Sequence, residues 1–312
     1  MPDRRAVEAA AVRIAGHVRR TPVLHVESGT LGTSAVTLKL DLLQPTGSFK
    51  VRGAMSLLTG VDVPDTGVVA ASGGNFGLAV CWAAARIGVP AAIFVPATSP
   101  RAKLDALART GAQVEVVDGR YAEALEASRA HVERTGALFA HAYDQFEVVA
   151  GQGTLALEVE QDTSVDTILV ACGGGGLVAG IAAAVGDRVR VIAVETTGTP
   201  TYARAIEAGR PVDVEVSGIA ASSLGARRVG DLVWALREGI ASNLLVDDAD
   251  VEAAIRQLWD RVRLVAEPGG AAAVAALTSG AYQPEPGERV VAVVCGANTD
   301  PASVLGDPAA PR

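Results

Sequence analysis

The sequence TILVACGGGGLVAG, residues 167–180, joins two apolar runs through four consecutive glycines. A short aliphatic run such as TILVA (167–171) is typical of a strand buried on both faces of a parallel sheet. Glycine leaves backbone N–H groups free to point inward, and a helix that begins after the loop adds its positive end. The loop therefore predicts a phosphate site. The alternative is a tight turn that only lets helix and strand pack closely.

The same loop also fits a dinucleotide-binding pattern. Gly174, Gly176 and Ala179 match the loose G-x-G-x-x-A spacing. Glu195 ends the next predicted strand, where a ribose-binding acid would stand. On this alternative the protein is an NAD-dependent dehydrogenase. That interpretation accounts for one loop only.

Apolar runs and amphipathic stretches alternate on both sides of this segment. Strands are predicted at 36–41, 68–72, 91–96, 114–117, 137–141, 167–171, 189–195 and 290–295. Helices are predicted at 3–20, 77–88, 100–111, 121–135, 147–160, 200–208 and 248–262, and 209–247 is less regular. Buried strands separated by helices indicate an α/β protein with parallel-rich sheets flanked by helices.

Four loops rich in glycine or asparagine lie beside these predicted elements. They are PTGSFK (45–50), SGGNFG (72–77), CGGGG (172–176) and CGAN (295–298). Ligands of α/β proteins bind at the carboxyl ends of the strands. We therefore expect the four loops to converge on one site.

Composition excludes several classes of function. The chain has 312 residues and a net charge of −8, without clustered Lys and Arg, so no nucleic acid and no membrane is expected as a partner. Cys81, Cys172 and Cys295 lie far apart, which argues against a zinc site or disulfides. Residues 1–20 lack the apolar run of a signal peptide, and no stretch suits a membrane span. We expect a cytoplasmic protein.

Lys50 lies in a short polar turn between apolar elements. A lysine desolvated near a helix start has the lowered amine pKa that a Schiff-base lysine needs. On position alone, a solvated surface lysine is the alternative. Thr46 or Ser48 is predicted to cap a helix that starts near Lys50, and Arg52 is expected to be structural.

Residues 44–54, QPTGSFKVRGA, resemble the lysine motif of fold-type II pyridoxal-phosphate (PLP) enzymes, in the branch of serine and threonine dehydratases and serine racemase. The resemblance extends from RTPVL (20–24) to CGANTD (295–300). Between them, in family order, lie SGGN (72–75), GQGTLALE (151–158), CGGGGLVAG (172–180) and EPGGAA (267–272). The motifs occupy almost the whole chain, so we expect no additional regulatory domain.

The resemblance implies two interleaved domains, as in the β-subunit of tryptophan synthase. The larger domain would comprise residues 1–66 and 145–312, with Lys50 and the tetraglycine loop, and the smaller one residues 67–144, with SGGN. The resemblance also implies PLP as the cofactor, a small amino acid as the substrate, and a homodimer.

Several single residues acquire roles from the family pattern. Lys50 would carry the cofactor as a Schiff base, and its freed amine would remove the α-proton of the substrate. Phe49 would pack against the pyridine ring, and Asn75 would hydrogen-bond the 3′-oxygen. Glu267 would either tune the cofactor or cap the helix that follows. Cys295 matches the position beside the pyridine nitrogen, where a neutral thiol cannot keep that nitrogen protonated.

Two glycine-rich segments complete the implied site. The substrate carboxylate would be held by Ser72, Gly73, Gly74 and Asn75. The phosphate would be held by the backbone of Gly173, Gly174, Gly175 and Gly176.

The implied reaction is α,β-elimination of L-threonine or L-serine to a 2-keto acid and ammonia. Gly73 stands where serine racemase has a second serine, so racemisation is disfavoured but remains an alternative. Phe76 in place of a histidine, and Ala297 in place of a glycine, leave open a lyase for 3-hydroxyaspartate or phenylserine. A non-catalytic PLP-binding protein is a further alternative, although binding alone does not require the amine of Lys50.

A metal is not expected. Glu195 matches one ligand of a divalent-cation site that some relatives have, but Thr201 occupies the place of the partner carboxylate.

Overall fold

The computed structural model describes residues 1–32, 34–99 and 101–302, with only the backbone described for 101–103. The strands are β1 (Val23–Val26), β2 (Val36–Lys39), β3 (Val68–Ala71), β4 (Ala91–Pro96), β5 (Gln113–Val117), β6 (Leu138–Phe139), β7 (Thr167–Ala171), β8 (Arg190–Thr196), β9 (Ser242–Val246) and β10 (Val290–Val293). The helices are α1 (Arg4–Ile14), α2 (Lys50–Gly60), α3 (Asn75–Ile87), α4 (Arg101–Ala108), α5 (Tyr121–Thr135), α6 (Phe146–Asp162), α7 (Gly176–Val185), α8 (Thr201–Ala208), α9 (Ala221–Leu224), α10 (Asp231–Ala235), α11 (Asp248–Val262) and α12 (Pro268–Thr278).

A six-stranded sheet forms the larger layer, in the order β1-β2-β10-β7-β8-β9. Every neighbouring pair is parallel except β1 and β2 at one edge. All five residues of β7 are buried, as an apolar run with helices on both faces requires. The tetraglycine loop follows the C-terminal end of β7 and therefore lies at the middle of this sheet.

A four-stranded sheet forms the smaller layer, in the order β5-β4-β3-β6, and all its pairs are parallel. Its strands lie between Val68 and Phe139, and α3 and α5 contact it. Two parallel-rich sheets with flanking helices confirm the predicted fold class. The C-terminal end of β3 carries SGGN.

Among the elements that differ from the sequence prediction are α1, β1 and β9. The first helix ends at Ile14, not at residue 20, because Gly16 has a φ of 74° that a helix cannot hold. Strand β1 was not predicted, and β9 lies in the stretch described as less regular. Both are edge strands with partly exposed residues, so neither shows the continuous apolar run of a central strand.

A buried ion cluster fastens α2 to the large sheet. Arg52 lies 2.7 Å from Asp41 and 2.7 Å from Glu158, and Lys39 lies 2.6 Å from Glu158. Arg52, Asp41 and Lys39 are 1% exposed or less. Buried charges persist only when they are paired and hydrogen-bonded, so the predicted structural role of Arg52 is confirmed.

Within the described residues, no helix has both the length and the apolar character that crossing a membrane requires.

Candidate active site

The lysine loop and the CGAN loop are joined by backbone hydrogen bonds. Phe49 donates its N–H to the carbonyl of Cys295 at 3.0 Å, and Ala297 donates to the carbonyl of Gly47 at 2.8 Å. These bonds place Lys50, the first residue of α2, beside the end of β10. Two of the four predicted loops therefore form one structural unit.

The predicted cap of α2 is wrong. The residue at the cap position is Phe49, in helical conformation, and no side chain caps the helix. The hydroxyls of Thr46 and Ser48 are buried and have no hydrogen-bond partner among the described residues. The backbone pairing with the CGAN loop fixes this turn, so a capping hydroxyl is not needed. A buried hydroxyl without a partner costs free energy unless a ligand or water satisfies it.

The Lys50 amine lies among aromatic rings and a backbone carbonyl. Its Nζ donates to the carbonyl of Ala142 at 2.9 Å and lies 4.9 Å from the centre of the Phe49 ring. The ring of Phe76, from the SGGNFG loop, is 5.8 Å away. Desolvation lowers the pKa of Lys50 from 10.5 to about 8, against the opposing effect of nearby Cys295 and Glu267. The amine is therefore poised to act as a nucleophile or base near neutral pH.

Lys50 is expected to react with added pyridoxal phosphate at a rate that rises with pH through about 8. Only the unprotonated amine attacks an aldehyde, and that form becomes dominant above its pKa. Stopped-flow absorbance of the cofactor-free protein mixed with PLP gives the midpoint. A midpoint near 10.5, the ordinary value, would contradict a desolvated amine.

The Cys295 thiol is buried at the end of the same loop. Its Sγ contacts the carbonyl of Gly269 at 3.5 Å. Burial raises the pKa of Cys295 well above its ordinary value, and the carboxylate of Glu267 adds to the rise. The thiol is therefore neutral, as its predicted place beside a pyridine nitrogen assumes.

The side chain of Asn75 brings the substrate loop to the large sheet. Its Nδ2 donates to Oε1 of Glu267 at 2.6 Å, and its Oδ1 accepts from Nδ2 of Asn298 at 2.8 Å. Glu267 occupies the cap position of α12, but its side chain makes no capping hydrogen bond. Of the two predicted roles of Glu267, the geometry favours the one inside the site.

The tetraglycine loop has no room for side chains. A methyl group would lie 3.0 Å from the Leu224 carbonyl at Gly173, 2.5 Å from the Tyr143 ring at Gly174, against Val233 at Gly175, and 2.8 Å from the Tyr143 carbonyl at Gly176. Gly175 also has a φ of 90°, in the left-handed region. Because α7 begins at Gly176, the loop lies at the positive end of a ten-residue helix. The arrangement suits a phosphate.

Replacing Gly174 with alanine is expected to weaken PLP binding about 5- to 150-fold, because an overpacked site costs about 1–3 kcal/mol. The three nearest atoms to the added methyl group all belong to the Tyr143 ring. Titration of cofactor-free protein measures the affinity. The double variant Gly174→Ala/Tyr143→Ala should recover part of it, with Tyr143→Ala alone as control. Unchanged affinity in Gly174→Ala would contradict the packing argument.

The substrate loop follows β3 in a tight turn. The N–H of Gly74 lies 3.4 Å from Oγ of Ser72. A methyl group at Gly73 would lie 2.9 Å from Oγ of Ser99, which follows the neighbouring strand β4. A hydroxyl thus lies beside the glycine, where sequence reasoning found none. Nothing in the sequence around Ser99 indicates this contact, because it depends on which strands are neighbours.

Residues 14–296 match the protein family described as pyridoxal-phosphate dependent enzymes. The chain belongs to this family. L-threonine ammonia-lyase of Geobacter sulfurreducens is 35% identical over 94% of this chain and 75% of that protein. Phenylserine dehydratase of Ralstonia pickettii is 34% identical over 97% and 95%. The structure of maize serine racemase superposes with a TM-score of 0.89 at 30% identity, covering 97% of this chain and 95% of that chain.

These similarities confirm the predicted branch of PLP-dependent enzymes and its cofactor. The residues present fit that cofactor. The tetraglycine backbone at the start of α7 would hold its phosphate, and the amine of Lys50 would bind its aldehyde carbon. The buried hydroxyls of Thr46 and Ser48, next to Lys50 in sequence, are donors that a bound ligand or water can use. The roles of Phe49 and Cys295 at its ring stay predictions.

Glu195 of the PLP-dependent enzyme lies outside this site. Its carboxylate accepts the N–H of Tyr202 at 2.6 Å and of Ala203 at 2.8 Å, and the Nδ2 of Asn243 at 2.7 Å. Burial raises the pKa of Glu195 to about 8, against the opposing effect of the backbone N–H donors of α8. The carboxylate anchors the first turn of α8, so its oxygens are not free for a ribose or a cation. In the part of the chain that the structure describes, no group of three or more His, Cys, Asp and Glu could hold a metal.

The segment 141–144 of the enzyme was not among the site residues predicted from the sequence. Besides Ala142 and Tyr143, which contact Lys50 and the tetraglycine loop, Asp144 accepts the N–H of Asp231 at 3.0 Å and of Leu232 at 2.8 Å. The segment therefore connects the phosphate loop to α10. Its sequence, HAYD, carries no periodic or motif signal that could have revealed this.

Proposed function

We propose that the enzyme catalyses α,β-elimination of L-threonine and L-serine, with release of a 2-keto acid and ammonia. The observation that carries the proposal is the desolvated Lys50 amine, with a pKa of about 8, which lies 2.9 Å from the carbonyl of Ala142 and 5.8 Å from the Phe76 ring of the substrate loop. Binding alone does not require an amine tuned in this way. The similarity to L-threonine ammonia-lyase of Geobacter sulfurreducens supports the choice of reaction.

Different residues of the chain contribute to different parts of the proposed reaction. When bound, pyridoxal phosphate withdraws electrons from Cα of the amino acid, which makes its proton removable. Lys50 is the base for that proton, because a substantial fraction of an amine with a pKa of about 8 is unprotonated near neutrality. The neutral thiol of Cys295 does not supply the counter-charge that a carboxylate would, and this favours loss of the β-hydroxyl over transamination.

We also propose that residues 67–144 act as a small domain that closes over the substrate. Asn75 and Phe76 begin α3, which follows β3 within this segment, whereas Lys50 begins α2 and Glu267 precedes α12, both outside it. Closure would bring the N–H groups of Ser72–Asn75 onto the substrate carboxylate and exclude water from the reacting atoms.

The assay for the proposed function follows keto acid from L-threonine and L-serine, together with absorbance of the bound cofactor. A borohydride-reducible absorbance band and keto acid from either substrate are the expected results. A band without keto acid from either would overturn the substrate choice and leave the cofactor site intact. Absence of the band would overturn the proposal itself.

Racemisation is the second candidate, and Ser99 is the observation that favours it. The hydroxyl of Ser99 lies 2.9 Å from the position of a methyl group at Gly73, where serine racemase carries a serine. If the wild type forms D-serine from L-serine, and Ser99→Ala loses this activity while keto acid formation persists, Ser99 is the proton donor of a racemase. Chiral chromatography of recovered substrate measures it.

A bulkier substrate is the remaining alternative within elimination. The Phe76 ring flanks Lys50 at 5.8 Å, and phenylserine dehydratase of Ralstonia pickettii is a relative along nearly the whole chain. Rates with L-threonine, phenylserine and 3-hydroxyaspartate, compared as kcat/KM, decide between these substrates.

A further inference from the structure

The Asn298 side chain is the outer member of a series of hydrogen-bonded side chains that extends into the active site. Its Nδ2 donates to the carbonyl of Thr46 and to Oδ1 of Asn75, both at 2.8 Å. An amide nitrogen has two hydrogens, so both are used. The oxygen of the amide faces Gly47, where a methyl group would lie 2.5 Å from Oδ1 of Asn298. The Thr46 carbonyl can only accept, so a flipped Asn298 amide would set oxygen against oxygen, and one orientation of the amide remains.

The orientation of Asn298 dictates that of Asn75. Oδ1 of Asn75 accepts from Asn298, so Nδ2 of Asn75 faces Glu267, to which it donates at 2.6 Å. A flipped Asn75 would set its oxygen against the oxygen of Glu267 and its nitrogen against the nitrogen of Asn298. Both contacts would be repulsive, because two acceptors would face each other at Glu267 and two donors at Asn298. The second hydrogen of Asn75 Nδ2 therefore has a fixed direction in which it can be donated to a bound ligand.

We propose that Asn298 is a positioning residue that fixes the Asn75 amide so that it presents an N–H group to the bound cofactor. The inference rests on the proposed function, because it requires a bound cofactor, and it takes the hydrogen bond from Asn75 to the 3′-oxygen that the family pattern implies. Asn298 itself is exposed, so its replacement leaves the hydrophobic core intact.

The test compares Asn298→Ala with Asn298→Asp, using PLP affinity from titration of cofactor-free protein as the first measurement. Alanine removes one of the two contacts that hold the Asn75 amide and leaves the contact with Glu267. Aspartate presents only acceptors, so it favours the flipped Asn75, with its nitrogen towards residue 298. We expect affinity to fall about 3- to 10-fold for alanine, the value of one hydrogen bond, and further for aspartate. A purely structural role predicts a loss of affinity without a change in the absorbance band of the bound cofactor, because the hydrogen bond from Asn75 to the cofactor would be unchanged.

Asn243→Ala is the matched control. Asn243 also donates its amide to a glutamate, Glu195 at 2.7 Å, but lies outside the site. Its affinity for PLP should equal that of the wild type. The wavelength of the bound-cofactor band should shift in both Asn298 variants and not in Asn243→Ala, because the hydrogen bond to the cofactor changes only there.

Two results would overturn the inference. In one, the wild type binds PLP and makes keto acid while both Asn298 variants retain its affinity and its band. In the other, Asn298→Asp binds as well as or better than Asn298→Ala. If the wild type binds no PLP, the proposed function itself has failed, and the inference falls with it.

Discussion

Replacing Lys50 with alanine is expected to reduce turnover about 10⁴-fold, the upper end of what general-base catalysis contributes. The methyl group can neither accept the α-proton nor bind an aldehyde carbon, so two functions are lost together. The chain has only two other lysines, Lys39 and Lys103. Lys39 is fully buried and bonded to Glu158, so it cannot take over. Keto acid formation and the cofactor absorbance band are the measurements.

The small number of lysines makes the control simple. After borohydride reduction, peptide mass spectrometry should find the cofactor on Lys50 and on neither of the others. Lys50→Arg keeps the positive charge but cannot lose its proton, since a guanidinium stays charged at any relevant pH. It should be as inactive as Lys50→Ala, whereas Lys103→Arg should match the wild type. A modified Lys39 or Lys103, or turnover by Lys50→Arg, would refute the assignment.

The elements that the sequence predicts best are those with the most regular patterns. The predicted bounds are correct for the strand 167–171 and for the helices 121–135 and 248–262. A continuous apolar run and a helical period can each be recognised from residues that are neighbours in the sequence. Edge strand β9 escapes prediction because it begins with the polar residues Ser242 and Asn243, and four of its five residues are partly or fully exposed. Pairing with the neighbouring strand β8 stabilises β9, and the sequence of β9 alone does not indicate this pairing.

For the site, even less could be predicted from local sequence patterns than for the edge strands. Four loops could be located from their glycines and asparagines, and the structure brings them together. The contacts between them could not be predicted, because they join residues far apart in the chain. Asn75 meets Glu267 across 192 positions, and Asn298 meets Thr46 across 252. The predicted cap by Thr46 or Ser48 fails for this reason, since pairing with a distant loop determines that turn.

Helix α2 links the site to the stability of the fold. Lys50 is its first residue, and Arg52, two positions on, enters the buried ion cluster. The amine can be held in place only if the helix start cannot move. The charge cluster therefore stabilises the element that orients the base.

Replacing Arg52 with methionine is expected to lower the free energy of unfolding by about 3–5 kcal/mol, the cost of breaking a buried ion pair from one side. Burial alone would raise the pKa of Asp41, but Arg52 outweighs it and holds the pKa below the ordinary value. Without Arg52, Lys39 is the cation that remains in the cluster for the carboxylates of Asp41 and Glu158. Urea unfolding at neutral pH measures the loss.

The pH dependence identifies the cause of the loss. In the variant the buried Asp41 has lost its strongest partner, so its pKa in the folded state rises. A raised pKa makes the folded state take up protons more readily, so the stability gap between variant and wild type should narrow as pH falls from about 7 to about 5. Arg289→Met is the matched control, because Arg289 pairs with Asp166 on the surface, where both side chains are well exposed and solvent screens the pair. If the two variants lose equal stability, or the gap for Arg52→Met does not depend on pH, the buried charges do not anchor α2, and packing of its apolar face must hold Lys50 in place instead.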